Sequence, residues 1–167
     1  NFEPALTPEK KAAIGNVPVL DITRTFLEVE KPFWKEDGNS GMAFTDLLIG
    51  QVNPYVNSKD PETGPAILES FVGGPTAKNL GELEDKEVIN EVKKQMEKVH
   101  PEVEQYFTQG HVKAWSADPY ALGGPSWPAP GDVTNYLTAL QAPHGRIHFA
   151  GEHTSILRST MEGALRS

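Results

Sequence analysis

Residues 85–99 place the strongest constraint on what this chain can fold into. Val88, Val92, Met96 and Val99 recur there at helical spacing, while Glu and Lys fill the other faces. The stretch therefore predicts one amphipathic helix with a single apolar stripe. Such a stripe has to be buried against another element, and the segments around it read as strands. Residues 17–30 hold Val19, Leu20, Ile22, Thr23, Thr25, Phe26, Leu27 and Val29, a β-rich run with partial alternation. Residues 42–49, 65–72 and 105–115 are further strand candidates, separated by a turn cluster at 36–41 and a polar loop at 57–64. Thr7-Pro8 opens a short helix, with Thr as N-cap and Pro at the first helical position, and Gly15 closes it. His100-Pro101 ends the long helix. Residues 118–131 carry four prolines and three glycines and are too stiff and irregular for regular structure. Residues 146–151 read as a short buried strand ending in Gly151. Strands interleaved with helices indicate the α+β class.

Composition narrows the partners. With 167 residues, 38% hydrophobic and 23% charged, the chain is globular and long enough for one ordinary domain. A net charge of −8 with no dense block of Lys or Arg argues against nucleic acid or an anionic membrane as partner. No apolar run approaches the ~18 residues of a membrane span. The compartment stays open, with secretion favoured over the cytoplasm. Cysteine is absent, which excludes disulfides, cysteine nucleophiles and Cys-ligated zinc. Asn1 is not an initiator Met, and the chain closes at Ser167 inside a helical pattern without a stop signal. It reads as a piece of a longer polypeptide.

Several residue groups invite chemistry that a plainer reading explains better. His148 and His153, on a strand and a turn, form the only loose pair among five histidines, and hydrogen-bonded roles outweigh a metal site. Glu82, Glu84, Asp85 and Glu87 read as a solvated helix start. Trp34 and Trp127 read as packing anchors. Ser155 and Ser159 lie near His153, but no Gly-x-Ser-x-Gly elbow is present.

The C-terminal stretch carries more. Ser159-Thr160-Met161-Glu162 fits a capping box, with Ser159 as N-cap and Glu162 reaching back to it. Free N–H groups at such a helix start favour an electron-rich group. Gly163 and Ala164 are small enough for a flat ring or another backbone to approach. Glu152, just past Gly151, could accept hydrogen bonds from a sugar hydroxyl.

Arg-Ile-His-Phe-Ala-Gly-Glu-His-Thr-Ser at 146–155, followed by Ser-Thr-Met-Glu-Gly-Ala at 159–164, resembles the C-terminal flavin signature of the monoamine oxidase and L-amino-acid oxidase family. Three earlier blocks resemble it in order and spacing. They are residues 2–10, Glu30-Lys31-Pro32-Phe33-Trp34, and the Trp-containing, Gly-Gly-ending segment from Trp115 to Gly124. The resemblance implies an α+β chain made of part of a mixed-sheet substrate-binding domain plus the C-terminal strand and helix of a Rossmann-like FAD-binding domain. On that basis residues 1–15 leave the FAD domain, 16–115 belong to the substrate domain and 116–167 return.

Carried over residue by residue, Trp115, Gly123, Gly124, Glu152, Ser159, Thr160, Met161, Glu162, Gly163 and Ala164 would bind FAD, with the Met161 amide near the flavin pyrimidine. Gln51, Asn53, Pro125, Ser126, Trp127, Ser159 and Thr160 would line the substrate pocket. Pro125 falls where some monoamine oxidases place a flavin-bonded cysteine, so the FAD is expected to be non-covalent. Thr160 stands where many relatives have the Tyr or Trp wall of an aromatic cage, leaving a more polar pocket or one closed by Trp127. No catalytic residue and no metal site is assigned within the chain. The family's active-site lysine, its Gly-x-Gly-x-x-Gly and its carboxylate-gripping arginine are expected before residue 1.

The implied activity is oxidative deamination of an L-amino acid to a 2-oxo acid, ammonia and hydrogen peroxide. The Phe-Trp-Lys-Glu-Asp-Gly and Thr-Asp-Leu block at 33–47 favours this over a monoamine or polyamine. The implied partners are the N-terminal portion of the same oxidase, a small amino acid or amine, and further copies of the assembled enzyme. In some amino-acid oxidases the precursor is cut into chains that stay associated, and this chain is expected to be one of them. A non-catalytic scaffold of oxidase-like fold is the alternative from another class.

Overall fold

A computed structural model describes residues 2–167. The chain divides into two compact units, Asn1–Leu20 with Gly123–Ser167, and Asp21–Leu122. The crossings fall later along the chain than the boundaries after residues 15 and 115 expected from the sequence.

The Asp21–Leu122 unit is a five-stranded sheet with helices against one face. Its strands are β1 (Ile22–Val29), β2 (Ala43–Phe44), β3 (Gln51–Val56), β4 (Ala66–Gly73) and β5 (Phe107–Ala114), in the order β2-β3-β4-β1-β5. Every pairing is antiparallel. In β1, Thr23, Thr25, Leu27 and Val29 alternate with Arg24, Phe26 and Glu28, so the period-2 backbone gives the sheet two chemically distinct faces. The Leu27 face is covered by α2 (Pro75–Gly81) and α3 (Asp85–Met96), and a single turn, α4 (Val103–Tyr106), leads directly into β5.

Val88, Val92 and Met96 of α3 are fully buried there with Leu27, Leu68 and Val52, each contributing roughly 1.5–3 kcal/mol by leaving water. Asp85 and Glu87 in the first turn of α3 and Lys93 and Lys94 in its last complement the helix dipole. The helix stops at Met96, short of Val99. Pro101 disfavours a helical His100, and the His100 ring, 2.9 Å from the Gly41 carbonyl oxygen, is held in the core instead.

Two strand expectations change. Residues 42–49 yield only β2, because residues 45–50 close a tight turn. The Thr45 amide and hydroxyl both donate to the Gly50 carbonyl, at 3.0 and 2.9 Å. Gly50 has φ +59, and a Cβ there would lie 2.7 Å from the Phe71 carbonyl oxygen. Strand β3 escapes a propensity reading because of Pro54. Among the described residues no strand pairs with β3 beyond Val52 on the β2 side, so the proline sits on an open edge there, where a missing N–H costs little.

In the other unit α1 (Pro8–Asn16) lies against α5 (Asp132–Gln141). Thr7 caps α1 as expected, its hydroxyl accepting from the Lys10 amide at 3.2 Å. Lys10 is buried, and its ammonium donates to the Leu140 and Ala142 carbonyls at 2.8 and 2.5 Å. It thereby supplies a cation to the C-terminal end of α5. Residues 18–20, expected to extend β1, instead run beside 124–127. Leu20 N–H donates to the Pro125 carbonyl at 2.9 Å and Gly124 N–H to that of Leu20 at 2.8 Å. Residues 148–150 form no strand, since none of them pairs with a described residue, and only an isolated bridge joins His144 to Ile147. The unit ends in α6 (Met161–Leu165). Among the described residues no helix is long and apolar enough to cross a membrane.

Candidate functional site

Glu152 is the centre of a cluster in the unit that contains both chain ends. It sits at the start of a single 3-10 turn, Glu152–Thr154, directly after Gly151. Oε1 accepts from the Ser126 amide at 2.8 Å, and Oε2 accepts from the Ser126 hydroxyl and the Ser159 amide, each at 2.8 Å. Three of the roughly four acceptor positions of the carboxylate are thus taken by protein donors. Burial disfavours its charge, yet the Ser159 and Ser126 amides and the Ser126 hydroxyl outweigh that cost and hold its pKa below the ordinary value. The structure therefore brings Ser126, Glu152 and Ser159 together.

Gly123 leaves room for the Val19 side chain. A Cβ on Gly123 would lie 2.5 Å from a Val19 methyl. Gly163 does the same for α6, where a Cβ would meet the Leu157 carbonyl oxygen at 2.0 Å. Pro125 is half-buried and Trp127 is exposed, so Trp127 is no packing anchor.

The expected capping box is not formed. Thr160, not Ser159, is the N-cap, its hydroxyl accepting from the Gly163 amide at 2.9 Å and donating to the Leu157 carbonyl at 2.7 Å. Ser159 is at φ +60, a left-handed conformation incompatible with an N-cap. Its hydroxyl donates to the Ser126 carbonyl at 3.1 Å. Glu162 does not reach back but pairs with Arg166. Thr160 is consequently a cap whose hydroxyl is engaged in two hydrogen bonds.

Beside this cluster lie donors that could hold an electron-rich group. Among the described residues the Met161 and Glu162 amides, at the start of α6, meet no acceptor. Arg158, which the sequence reading passed over, has Nε and Nη2 buried without partners, while Nη1 lies 3.4 Å from the Ser126 hydroxyl. Unpaired buried donors on a cation are costly, and an electron-rich group beside them would offset that cost. The one available sequence signal was an arginine immediately before the Ser-Thr-Met-Glu run.

Trp115, Gln51 and Asn53 belong to the sheet unit. Trp115 is half-buried after β5, its amide donating to the Ile22 carbonyl at 2.9 Å, with the Lys113 ammonium 4.9 Å from its ring centroid. Lys113 is held by Asp118 at 2.5 Å. That hydrogen bond, with the Tyr120 and Ala121 amides, lowers the Asp118 pKa to about 2. Gln51 and Asn53 alternate with buried Val52 on β3 and project on the face that lacks helices. Gln51 donates to Asn53 at 2.6 Å, and Asn53 to buried Glu69 at 3.2 Å.

The whole chain, residues 1–167, matches the family described as flavin containing amine oxidoreductase. It is 31% identical over 171 residues to L-amino acid oxidase Bs29 of Bothriechis schlegelii, covering 99% of this chain and 34% of that protein. It is 30% identical to an L-amino-acid oxidase of Bothrops pauloensis, with 99% and 34% covered. Among solved structures, cyclohexylamine oxidase from Brevibacterium oxydans IH-35A superposes with a TM-score of 0.85 at 25% identity, over 99% of this chain and 37% of that one. Putrescine oxidase shares the fold at a TM-score of 0.86 and 21% identity, again over 99% and 37%. The chain thus spans about a third of the length of the relatives it matches. It belongs to the flavin containing amine oxidoreductases.

Proposed function

We propose that the chain is part of an FAD-dependent L-amino-acid oxidase, acting on CH–NH2 donors with oxygen as acceptor. The observation that carries this reading is the Glu152 cluster, which ties together three residues assigned separately to cofactor and substrate. Likeness to L-amino-acid oxidases over 99% of the chain supports the substrate class.

Glu152 fixes the course of the segments around Ser126 and Ser159, and the Met161 amide and Trp115 would be among the groups that hold the flavin. FAD, when bound, would supply the two-electron acceptor, so that an L-amino acid, water and oxygen would give a 2-oxo acid, ammonia and hydrogen peroxide. Binding is non-covalent in this reading, since Pro125 stands where some monoamine oxidases place the cysteine that bonds to flavin. The N-terminal portion of the same oxidase completes the site, the assembled enzyme is a homo-oligomer, and secretion is favoured over the cytoplasm. An amine oxidase is the second reading, favoured by the likeness to cyclohexylamine oxidase.

A peroxide-coupled screen of the full-length protein over L-amino acids and their decarboxylated amines tests the choice. Turnover of amino acids supports the first reading. Turnover of amines alone replaces it with the second, and no turnover together with no bound flavin leaves a scaffold.

A further inference from the structure

The turn ahead of α6 carries a cation without a counter-charge. Arg158 is half-buried, and its Nε and Nη2 are fully buried without a hydrogen-bond partner. Nη1 has only the Ser126 hydroxyl, at 3.4 Å. That hydroxyl donates its one proton to Glu152 Oε2 at 2.8 Å, so it faces Arg158 as an acceptor. The Glu152 oxygens are taken by Ser126 and Ser159. Among the described residues Arg158 joins no ion pair.

Local packing gives no reason for this charge. A guanidinium stays ionised, and leaving two of its nitrogens buried and unpaired is unfavourable. A methionine of similar length would fill the space without that penalty. The backbone adds strain. Ser159, the next residue, is at φ +60, a conformation rarely adopted by residues other than glycine. Its amide on Glu152 at 2.8 Å and its hydroxyl on the Ser126 carbonyl at 3.1 Å hold it there. Strain and unpaired groups persist where surrounding contacts over-determine them, and they gather at sites that meet a ligand.

A fixed cation without a counter-ion selects ligands by charge rather than by shape. The oxidase reading above counts the Met161 amide, three residues further on, among the groups that would hold the flavin. An oxidised isoalloxazine ring is neutral. A ring that has accepted a hydride from the CH–NH2 donor has gained two electrons and one proton, and carries one negative charge on its N1 and C2-carbonyl edge. We propose that Arg158 is the charge selector for that reduced form: its uncompensated guanidinium makes the site bind anionic flavin more tightly than neutral flavin, which raises the reduction potential of the bound cofactor. The charge acts through space, so no hydrogen bond from Arg158 to the ring is required. That the ligand is a flavin rests on the oxidase reading.

The experiment uses the full-length protein with Arg158→Met, which keeps the bulk and removes the charge, and Arg158→Lys, which keeps the charge. The probe is sulfite, whose lone pair adds to flavin N5; the new S–N bond leaves the ring with one negative charge and bleaches its visible band. Arg158→Met is expected to weaken sulfite binding about tenfold and to lower the two-electron potential by the equivalent ~30 mV. Binding of oxidised FAD should change less than about threefold, because the neutral ring gains little from the cation. Arg158→Lys is expected to stay within about threefold of the wild type for sulfite.

In the full-length protein stripped of flavin the sign reverses. There Arg158→Met is expected to raise the denaturation midpoint, since an unpaired buried charge is gone. Protein that binds no flavin defeats the oxidase reading and this proposal together. Bound flavin whose sulfite affinity and potential are the same in Arg158→Met as in the wild type overturns the proposal alone. So does an Arg158→Met protein that fails to fold or is less stable than the wild type without flavin, since Arg158 would then pair with an acidic group elsewhere in the full-length protein.

Discussion

Glu69 draws its donors from side chains, the guanidinium of Arg24, the phenol of Tyr55 and the amide of Asn53. Glu152 draws two of its three from the main chain, the amides of Ser126 and Ser159. Both carboxylates are held below their ordinary pKa, but they organise different things. Around Glu69 the backbone is already fixed by the strand ladder, so the carboxylate sets the direction of side chains. Around Glu152 there is no ladder, and the carboxylate itself determines the path of two loops. An acid bound to amides builds a loop, whereas an acid bound to side chains aims a functional group on a rigid one.

The comparison breaks first at Glu152. Glu152→Ala leaves the Ser126 and Ser159 amides without acceptors, beside an Arg158 that already has two unpaired nitrogens. A destabilisation of about 3 kcal/mol is expected in chemical denaturation, together with loss of flavin per mole of protein. Glu69→Ala should cost less, about 2 kcal/mol, because Arg24 can turn toward water while the sheet keeps its register. Flavin content should hold. Equal flavin loss in the two variants would erase the distinction.

Acid titration sharpens it. Each glutamate has a folded pKa below its ordinary value of 4.5. The stability it contributes is therefore complete above 4.5 and lost as pH falls through the lower folded value. Denaturation midpoints should decline below pH 4.5 in the wild type, and the decline should be shallower in Glu69→Gln and Glu152→Gln. A variant with the wild-type slope would show that its carboxylate contributes nothing to the acid limb. The smallest effect separates the two candidate caps: Thr160→Ala should cost about 1 kcal/mol and Ser159→Ala clearly less. The reverse order would restore Ser159 as the N-cap.

How much of this the sequence carried varied with the range of the interaction. Helix α3 and the Thr7 cap were readable because their determinants lie within one or two turns. The α+β class followed from period alone. Strand β3 was hidden by Pro54, whose tolerance depends on an edge visible only once β2 is known to be two residues long. Helices α2 and α5 went unread because few of their side chains are buried, Ala77 and Leu80 in one and Leu140 in the other, too few for a stripe. The capping box misled by one residue, since two adjacent hydroxyls offer equivalent local chemistry and only the left-handed Ser159 decides between them. Ser126, Glu152 and Ser159 were legible through family resemblance, not through spacing. The Arg24–Glu69 pair was illegible by either route, because strand register alone brings residues 45 apart together.

The most direct test of the central claim is the visible spectrum of the purified full-length protein before and after acid precipitation. The account predicts flavin absorption near ~450 nm in the native protein, passing wholly into the supernatant as FAD once the protein is removed. Native protein without that absorption, or yellow colour that stays with the pellet, would contradict it.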